Sequence, residues 1–201
     1  MKNSLGPGVL GFPAPILIVG SYDTEENPNV MNAAAGGICC LSPPCIYVSL
    51  REATYTYHNI MNKKAFTVSI PPAEYVDEAD YFGLASGKNV DKFEVSGLTS
   101  VKSELVDAPY VSEFPVVLEC KLKETVNLGS HTMFVGEVLD IKADKEVLID
   151  ITSSSGKKLS KIDPEKFLPL IFDMSTRNYY KIGEKVGEGF SDGLNLIKKK
   201  S

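Results

Sequence analysis

Residues 29–51 read NVMNAAAGGICCLSPPCIYVSLR, and the run from Ala33 to Gly37 within them carries almost no side-chain volume. Small residues are needed where another backbone or a flat ligand comes close, because a larger side chain would occupy that space. The run therefore has two readings. It is either a strand packed tightly against another strand or a surface that accepts a flat ligand.

Short β-branched apolar runs on both sides of this stretch predict neighbouring strands. Before it, APILIVGS at 14–21 is followed by the turn-rich DTEENPN, and a second strand is expected from about Val30. Further strands are expected in CIYVSLRE, AFTVSIPP, VVLECKLKE and HTMFVGEVLDI, at 45–52, 65–72, 116–124 and 131–141. The chain thus reads as a meander of short strands.

The run VVLECKLKE alternates between apolar and charged residues, which is typical of a strand with one buried and one solvated face. The apolar set is Val116, Leu118, Cys120 and Leu122, and the charged set is Glu119, Lys121 and Lys123. The next run is apolar on both faces, as in a strand inside a barrel or covered by a partner. Between the two, NLGS predicts a hairpin in which Gly129 adopts a positive φ.

Two helices are expected between the strands. Thr54 can cap a helix that ends near Lys63 and Lys64, with Tyr57, Ile60 and Met61 on its apolar face. Residues 74–85 form a second, acidic helix with Val76, Ala79 and Phe82 on one side. The fold class is therefore mainly β, an antiparallel barrel decorated by short helices. We expect a single domain over residues 1–201, with a C-terminal arm after about residue 165 that ends in a short helix.

Composition and charge exclude several classes of function. The 201 residues are 43% hydrophobic and 23% charged, as in an ordinary soluble globular protein. A net charge of -5 argues against nucleic-acid binding, which needs a broad basic surface. No apolar segment approaches the roughly 20 residues of a membrane helix, and the N-terminal sequence has Gly and Pro where a secretory signal would be apolar. We therefore expect a cytoplasmic protein, with Lys198–Lys200 as a solubilising tail.

The four cysteines, Cys39, Cys40, Cys45 and Cys120, form neither a disulfide framework nor the paired CxxC spacing of a zinc site. Inert packing is the favoured reading, because free cysteine behaves as a small hydrophobe. A redox or iron-binding role for the three clustered thiols stays open. A hydrolase is not indicated, since the chain has no G-x-S-x-G and neither His58 nor His131 has a recognisable nucleophile beside it.

A phosphate group could be held by the loop SGKNVDK together with a basic residue. Ser86, Gly87, Lys88 and Lys92 would supply backbone amides, a hydroxyl and charge, and Arg51 follows the strand YVSL. The alternative is a plain surface turn, since the chain has neither a Walker nor a Rossmann fingerprint.

The motifs PAPILIVGSYDTEENPNVMNAAAGG, SPPCIYVSLR, SGKNVDKF, LEC and HTMFVGEV occur in one order. In this order the chain resembles the flavin reductase-like family with the FMN-binding split barrel, and within it the flavoredoxin-like branch. The resemblance runs from about Pro13 to Ile141, with a looser match in RNYYKIGEKVGEGF. It implies a six-stranded antiparallel split barrel, a homodimer, and one FMN per subunit near the dimer interface.

The resemblance also implies the site residues. Ala33 and Ala34 would leave room for the flavin ring, and the backbone near Val30 to Asn32 would reach its polar edge. The flavin-contacting segment matches Asn29, Val30, Met31, Asn32, Ala33 and Ala34; the ribityl and phosphate segments match Ser49, Leu50, Arg51, Thr54, Tyr55, Thr56, Ser86, Gly87, Lys88 and Lys92. His131 matches a position near the barrel mouth. Asn32 and Ala35 depart from the family pattern, since many relatives have Thr and Trp there.

The expected function is an FMN-dependent oxidoreductase that passes electrons from NAD(P)H to a free flavin, a metal complex or a protein acceptor. The alternatives are an FMN-binding electron carrier reduced by a partner protein, and a flavin-free or heme-binding relative. The flavin carries the chemistry, so no catalytic side chain is assigned; His131, Cys40 and Cys45 are candidates. No resident metal, nucleic acid or membrane partner is expected.

Overall fold

The computed structural model describes residues 1–8, 13–152 and 156–198. The strands are β1 Ala14–Pro15, β2 Leu17–Tyr22, β3 Pro28–Ala33, β4 Gly36–Leu41, β5 Pro44–Leu50, β6 Ala65–Ile70, β7 Ser100–Lys102, β8 Pro109–Val111, β9 Val116–Asn127, β10 Thr132–Ala143, β11 Leu148–Thr152, β12 Lys158–Ile162, β13 Leu170–Asp173 and β14 Asn178–Lys181. The helices are α1 Tyr55–Lys63, α2 Val76–Leu84, α3 Lys92–Ser96 and α4 Leu194–Lys198. Single 3-10 turns lie at Ala73–Tyr75, Lys145–Val147 and Pro164–Lys166.

The main sheet is antiparallel throughout, in the order β3-β2-β6-β9-β10-β5-β4. Six of its strands correspond to the predicted runs. The seventh, β4, was not among the predicted strands; it begins at Gly36 in the small-residue run and adds an edge beside β5. With 44% strand and 19% helix, the chain is mainly β, with a large antiparallel sheet decorated by short helices, as predicted.

The small-residue run lies where the chain crosses between the two edges of this sheet. β3 is one edge strand and β4 is the other, and only Ala34 and Ala35 separate them. The Ser49 amide donates to the Ala35 carbonyl over 2.7 Å and ties this crossing to β5. A Cβ at Gly36 would collide with the Leu17 side chain and lie 2.8 Å from the Tyr47 carbonyl oxygen. Close backbone packing therefore requires small residues here.

Two apolar clusters hold the fold together. The first is built from the inward residues of the sheet and Ile60 of α1; its fully buried members include Val19, Val48, Phe66, Val68, Cys120 and Phe134. The second lies between β2, β3 and the helices α2 and α3; it includes Ile18, Val30, Ala79, Phe82, Phe93 and Phe114. Ala79 and Phe82 thus occupy the predicted apolar side of the second helix.

The helix α1 begins at the predicted place, but Thr54 does not cap it with its side chain. The Thr54 hydroxyl donates instead to the Arg51 carbonyl over 2.8 Å. At the other end, Lys64 takes a left-handed conformation and closes the helix, one residue beyond Lys63. The hairpin between β9 and β10 turns at Gly129, which has the predicted positive φ of 103°.

Glu119 corrects the predicted pattern of β9, because its side chain is completely buried rather than solvated. Its carboxylate accepts from the Leu105 amide at 2.7 Å and from the Glu104 amide at 3.3 Å, and Lys142 Nζ lies 3.6 Å away. The alternation assigned Glu119 to the wet face because a charged residue is rarely buried without partners. The loop before β8 supplies the two amides, and β10 supplies Lys142.

The segment after residue 165 begins with β13, which pairs with β1 and β14. Leu170 is buried in the second cluster, and its amide donates to the Pro71 carbonyl over 3.0 Å. The chain then extends to α4, so the expected final helix is present. Of the predicted basic tail, residues 199 and 200 lie outside the described residues. Within the described ranges, none of the helices combines the length and apolar character that a bilayer crossing requires.

Candidate functional site

A cavity of about 200 Å³ lies between the start of α1, the middle of β3 and the segment that follows α2. Its lining contains eight of the residues predicted for the site: Asn29, Met31, Thr54, Tyr55, Thr56, Ser86, Gly87 and Lys92. It also contains Ala53, Phe82, Gly83, Leu84 and Ala85, which sequence reasoning missed. Three segments far apart in sequence thus converge on one small space, which we call the α1 cavity.

The N-terminus of α1 contributes backbone donors to the α1 cavity. The first amides of a helix have no partner within the helix, and the helix dipole places partial positive charge there. No side chain caps this end, and the first turn carries no acidic residue. Ala53 to Thr56 line the cavity, so this positive end lies against it. Such an arrangement favours an anionic ligand.

Asn29 lines the cavity and carries one polar atom that has no partner among the described residues. Its side chain is 4% exposed, and its Nδ2 donates to Thr56 Oγ1 at 2.9 Å and to Ser21 Oγ at 3.3 Å. Its Oδ1 is buried and has no hydrogen-bond partner among the described residues. A buried acceptor without a donor is costly. A ligand hydroxyl or N–H in the cavity would satisfy it.

Within the described part of the chain, Lys92 is the one buried lysine in the lining of the α1 cavity. The residue is 3% exposed, and its Nζ donates to the carbonyls of Val30 at 2.8 Å and Phe82 at 2.9 Å. An ammonium has three donors, so one remains for a ligand. Burial lowers the pKa of Lys92 to about 8, and an anion in the cavity would stabilise its charged form.

A larger polar cavity of about 440 Å³ adjoins the first through Asn29, Tyr55 and Gly87. The Tyr55 hydroxyl donates to Asp23 Oδ2 over 2.8 Å, and burial together with this carboxylate raises the pKa of Tyr55 to about 12. Burial acts to raise the pKa of Asp23, but hydrogen bonds from Asn27, Tyr55 and Glu25 outweigh it and lower that pKa. Tyr55 is thereby fixed as the wall between the two cavities.

Several predicted residues lie outside the α1 cavity. Val30, Ala33 and Leu50 are buried in the apolar clusters. Asn32 donates to the Ala79 carbonyl over 2.8 Å, and Ala34 packs beside the second cluster.

The remaining predicted residues are more exposed. Ser49 is half-buried, Arg51 is exposed, and Lys88 lines the larger cavity. His131 is half-buried, with its Nδ1 2.9 Å from Ser130 Oγ. Cys40 and Cys45 lie on the β4–β5 hairpin, away from the α1 cavity lining. Within the described ranges, no group of three or more His, Cys, Asp or Glu residues is arranged to hold a metal ion.

The family model described as flavin reductase like domain matches residues 9–163. The structure of flavoredoxin from Desulfovibrio vulgaris (Miyazaki F) is 48% identical, with a TM-score of 0.86 over 96% of this chain and 100% of that chain. Flavoredoxin from Methanosarcina acetivorans is 28% identical, with a TM-score of 0.86 over 98% of this chain and 99% of that one. An uncharacterised protein of Archaeoglobus fulgidus is 31% identical over 153 residues, which cover 72% of this chain and 86% of that protein.

Proposed function

From the premise that this chain belongs to the flavin reductase-like domain family, we propose that it binds FMN at the α1 cavity and transfers electrons through it. The observation that carries the proposal is the convergence of the α1 amides, the unpartnered Asn29 Oδ1 and the Lys92 ammonium. A phosphate monoester with attached hydroxyls matches this set, because it offers negative charge to the amides and ammonium and a donor to the amide oxygen.

Thr56 and Thr54 differ in what they can offer the phosphate. Thr56 Oγ1 accepts a hydrogen bond from Asn29, so its own proton is free to be donated into the cavity. The Thr54 proton is engaged with the Arg51 carbonyl. Thr56, Ser86 and the α1 amides are therefore the proposed phosphate donors, and Lys92 provides the charge. Arg51, exposed in this chain and absent from the α1 cavity lining, stays a predicted phosphate contact that rests on the sequence pattern and the resemblance.

The size of the α1 cavity indicates which part of FMN it holds. At about 200 Å³ it is smaller than the roughly 300–1,000 Å³ of pockets that enclose a whole small-molecule ligand. We assign it to the phosphate and ribityl end. We propose that the ring extends past Met31 along β3 to a surface that a second copy of the chain completes, in the homodimer that the resemblance implies. When bound, FMN supplies one- and two-electron redox chemistry, and the protein binds and orients it.

An electron carrier reduced by a partner protein is the first candidate for the physiological role. The observation in its favour is the 48% identity, over essentially the whole of both chains, to a protein named flavoredoxin. Direct reduction by NADH or NADPH is the second candidate, and the match to the flavin reductase-like domain favours it. We also propose that the protein is cytoplasmic.

The visible spectrum of the purified protein under anaerobic conditions tests the proposal. Flavin absorption bands are expected in the protein as isolated or after addition of FMN. The bound flavin should be released as FMN on denaturation. Bands that stay unbleached by NADH and NADPH but bleach with a reduced redox protein would support the carrier. Bleaching by either nucleotide would support the reductase. Protein that takes up no FMN at all would overturn the proposed function.

A further inference from the structure

The hairpin of β4 and β5 brings together three cysteines that the proposed flavin site does not use. Cys40 lies directly opposite Cys45 in the antiparallel register. Cys39 has no opposite residue, because the register shifts between Ile38 and Cys40. Within the described part of the chain, these thiols belong to no group suited to a metal ion. Any role for this cluster therefore depends on the directly opposite pair, Cys40 and Cys45.

The register of Cys40 and Cys45 suits a disulfide. Directly opposite residues of an antiparallel pair have Cα atoms about 4.5–5.5 Å apart and side chains on the same face. A disulfide needs a Cα separation of about 4.4–6.8 Å. The register therefore places the two residues within the range that a disulfide spans.

Exposure gives the two thiols different roles. Cys40 is exposed, whereas Cys45 is 5% exposed. Cys40 is therefore the thiol that a reagent in solution reaches first, and Cys45 lies behind it as the thiol that closes the bond.

The other two cysteines are poor competitors. Burial, followed by the influence of Cys45 and Cys40, raises the pKa of Cys39, which disfavours its thiolate. Cys120 is completely buried, and burial raises its pKa to about 12. Neither is therefore expected to react first with a reagent in solution.

We propose that Cys40 and Cys45 form a thiol–disulfide exchange site, oxidised by a low-molecular-weight disulfide such as oxidised glutathione. The Cys40 thiolate attacks one sulfur of the reagent, forms a mixed disulfide and releases one glutathione thiolate. Cys45 then loses its proton and attacks the Cys40 sulfur, which closes the Cys40–Cys45 bond and expels the second glutathione. The protein gives up two electrons, the reagent is reduced, and the two thiol protons end on the two glutathione molecules.

Closure of this bond ties the edge strand β4 covalently to β5. An edge strand is otherwise held by hydrogen bonds on one side only. Both cysteines lie outside the α1 cavity lining, so the site is separate from the proposed phosphate contacts.

The test is to equilibrate the protein as isolated with a series of reduced and oxidised glutathione ratios, block free thiols under denaturing conditions, and count them by mass spectrometry. The wild type should pass from four free thiols to two, in a monomeric chain without retained glutathione. Cys39→Ser, an exposed substitution, should pass from three to one. Cys40→Ser is the matched control, and it should form no disulfide within the chain.

The proposal is overturned if Cys39→Ser keeps three free thiols across the whole series, or if oxidation only joins two chains or leaves glutathione attached. It is equally overturned if Cys40→Ser loses two thiols as readily as Cys39→Ser does, because Cys39 would then be the partner of Cys45.

Discussion

Gly87 lies so close to Asn29 that a methyl group on Gly87 would overlap Asn29 Oδ1. The same methyl group would come within 3.1 Å of the Tyr55 ring. Gly87 has an ordinary backbone conformation for any residue, since its φ is not among the positive ones. It is therefore the absence of a side chain, rather than backbone freedom, that lets the unpartnered Asn29 Oδ1 lie against Gly87.

Gly87→Ala should weaken FMN binding at least tenfold, because the added methyl group displaces Asn29 or occupies the space for the ligand. We would measure the dissociation constant by quenching of FMN fluorescence. Gly183→Ala is the matched control, since a Cβ there meets nothing within 4 Å, and its affinity should equal that of the wild type. Unchanged affinity in Gly87→Ala would show that Asn29 does not contribute to FMN binding.

The affinity for FMN should depend on the charge of Lys92. The phosphate is a dianion above about pH 6, and it binds the ammonium more tightly than the neutral amine. With a pKa of about 8 in the free protein, Lys92 is charged below that pH and loses its proton above it. Affinity should thus be at its full value near neutral pH and fall by up to about tenfold per pH unit as the pH rises above 8.

Lys92→Met is the comparison for this pH dependence, measured from about pH 7 to 9.5. Its affinity should be low and independent of pH over that range, because the titrating group is absent. Thermal unfolding would verify that the variant folds, since the carbonyls of Val30 and Phe82 lose a donor. A wild-type affinity that stays constant through pH 9.5 would contradict the proposed contact.

Thr56→Val and Thr54→Val distinguish the two threonines of the cavity. Thr56→Val removes the proposed phosphate donor and the acceptor for Asn29 Nδ2, so FMN binding should weaken at least tenfold. Thr54→Val should change affinity less than threefold, because its hydroxyl is engaged with the Arg51 carbonyl. Isothermal titration of both variants would show the contrast. Equal losses would mean that Thr54 turns toward the ligand.

Ala33→Phe tests what the small-residue run does. Ala33 is 4% exposed and belongs to the apolar cluster inside the sheet, beside Leu17 and Val48. Overpacking such a position destabilises a protein by about 1–3 kcal/mol. We therefore expect a lower free energy of unfolding in urea, whether or not FMN is present. A variant as stable as the wild type that has lost FMN would instead place the ring against Ala33.

Local sequence patterns were sufficient for most of the secondary structure. The β-branched run AFTVSIPP predicts β6, and the spacing of Tyr57, Ile60 and Met61 predicts α1. Gly129 predicts the turn between β9 and β10. Each of these features depends on residues that are close together in sequence, so a short window of sequence contains the information. The order of the motifs along the chain then indicated the family.

The tertiary structure alone decided which residues meet. Glu119 is buried because the amides of residues 104 and 105 reach it from a separate loop, and Ala33 faces inward because the sheet register assigns it that side. Asn29 and Gly87 are 58 positions apart, yet their contact shapes the α1 cavity. Such long-range contacts depend on strand register and helix packing across the whole domain, which no local run of residues encodes.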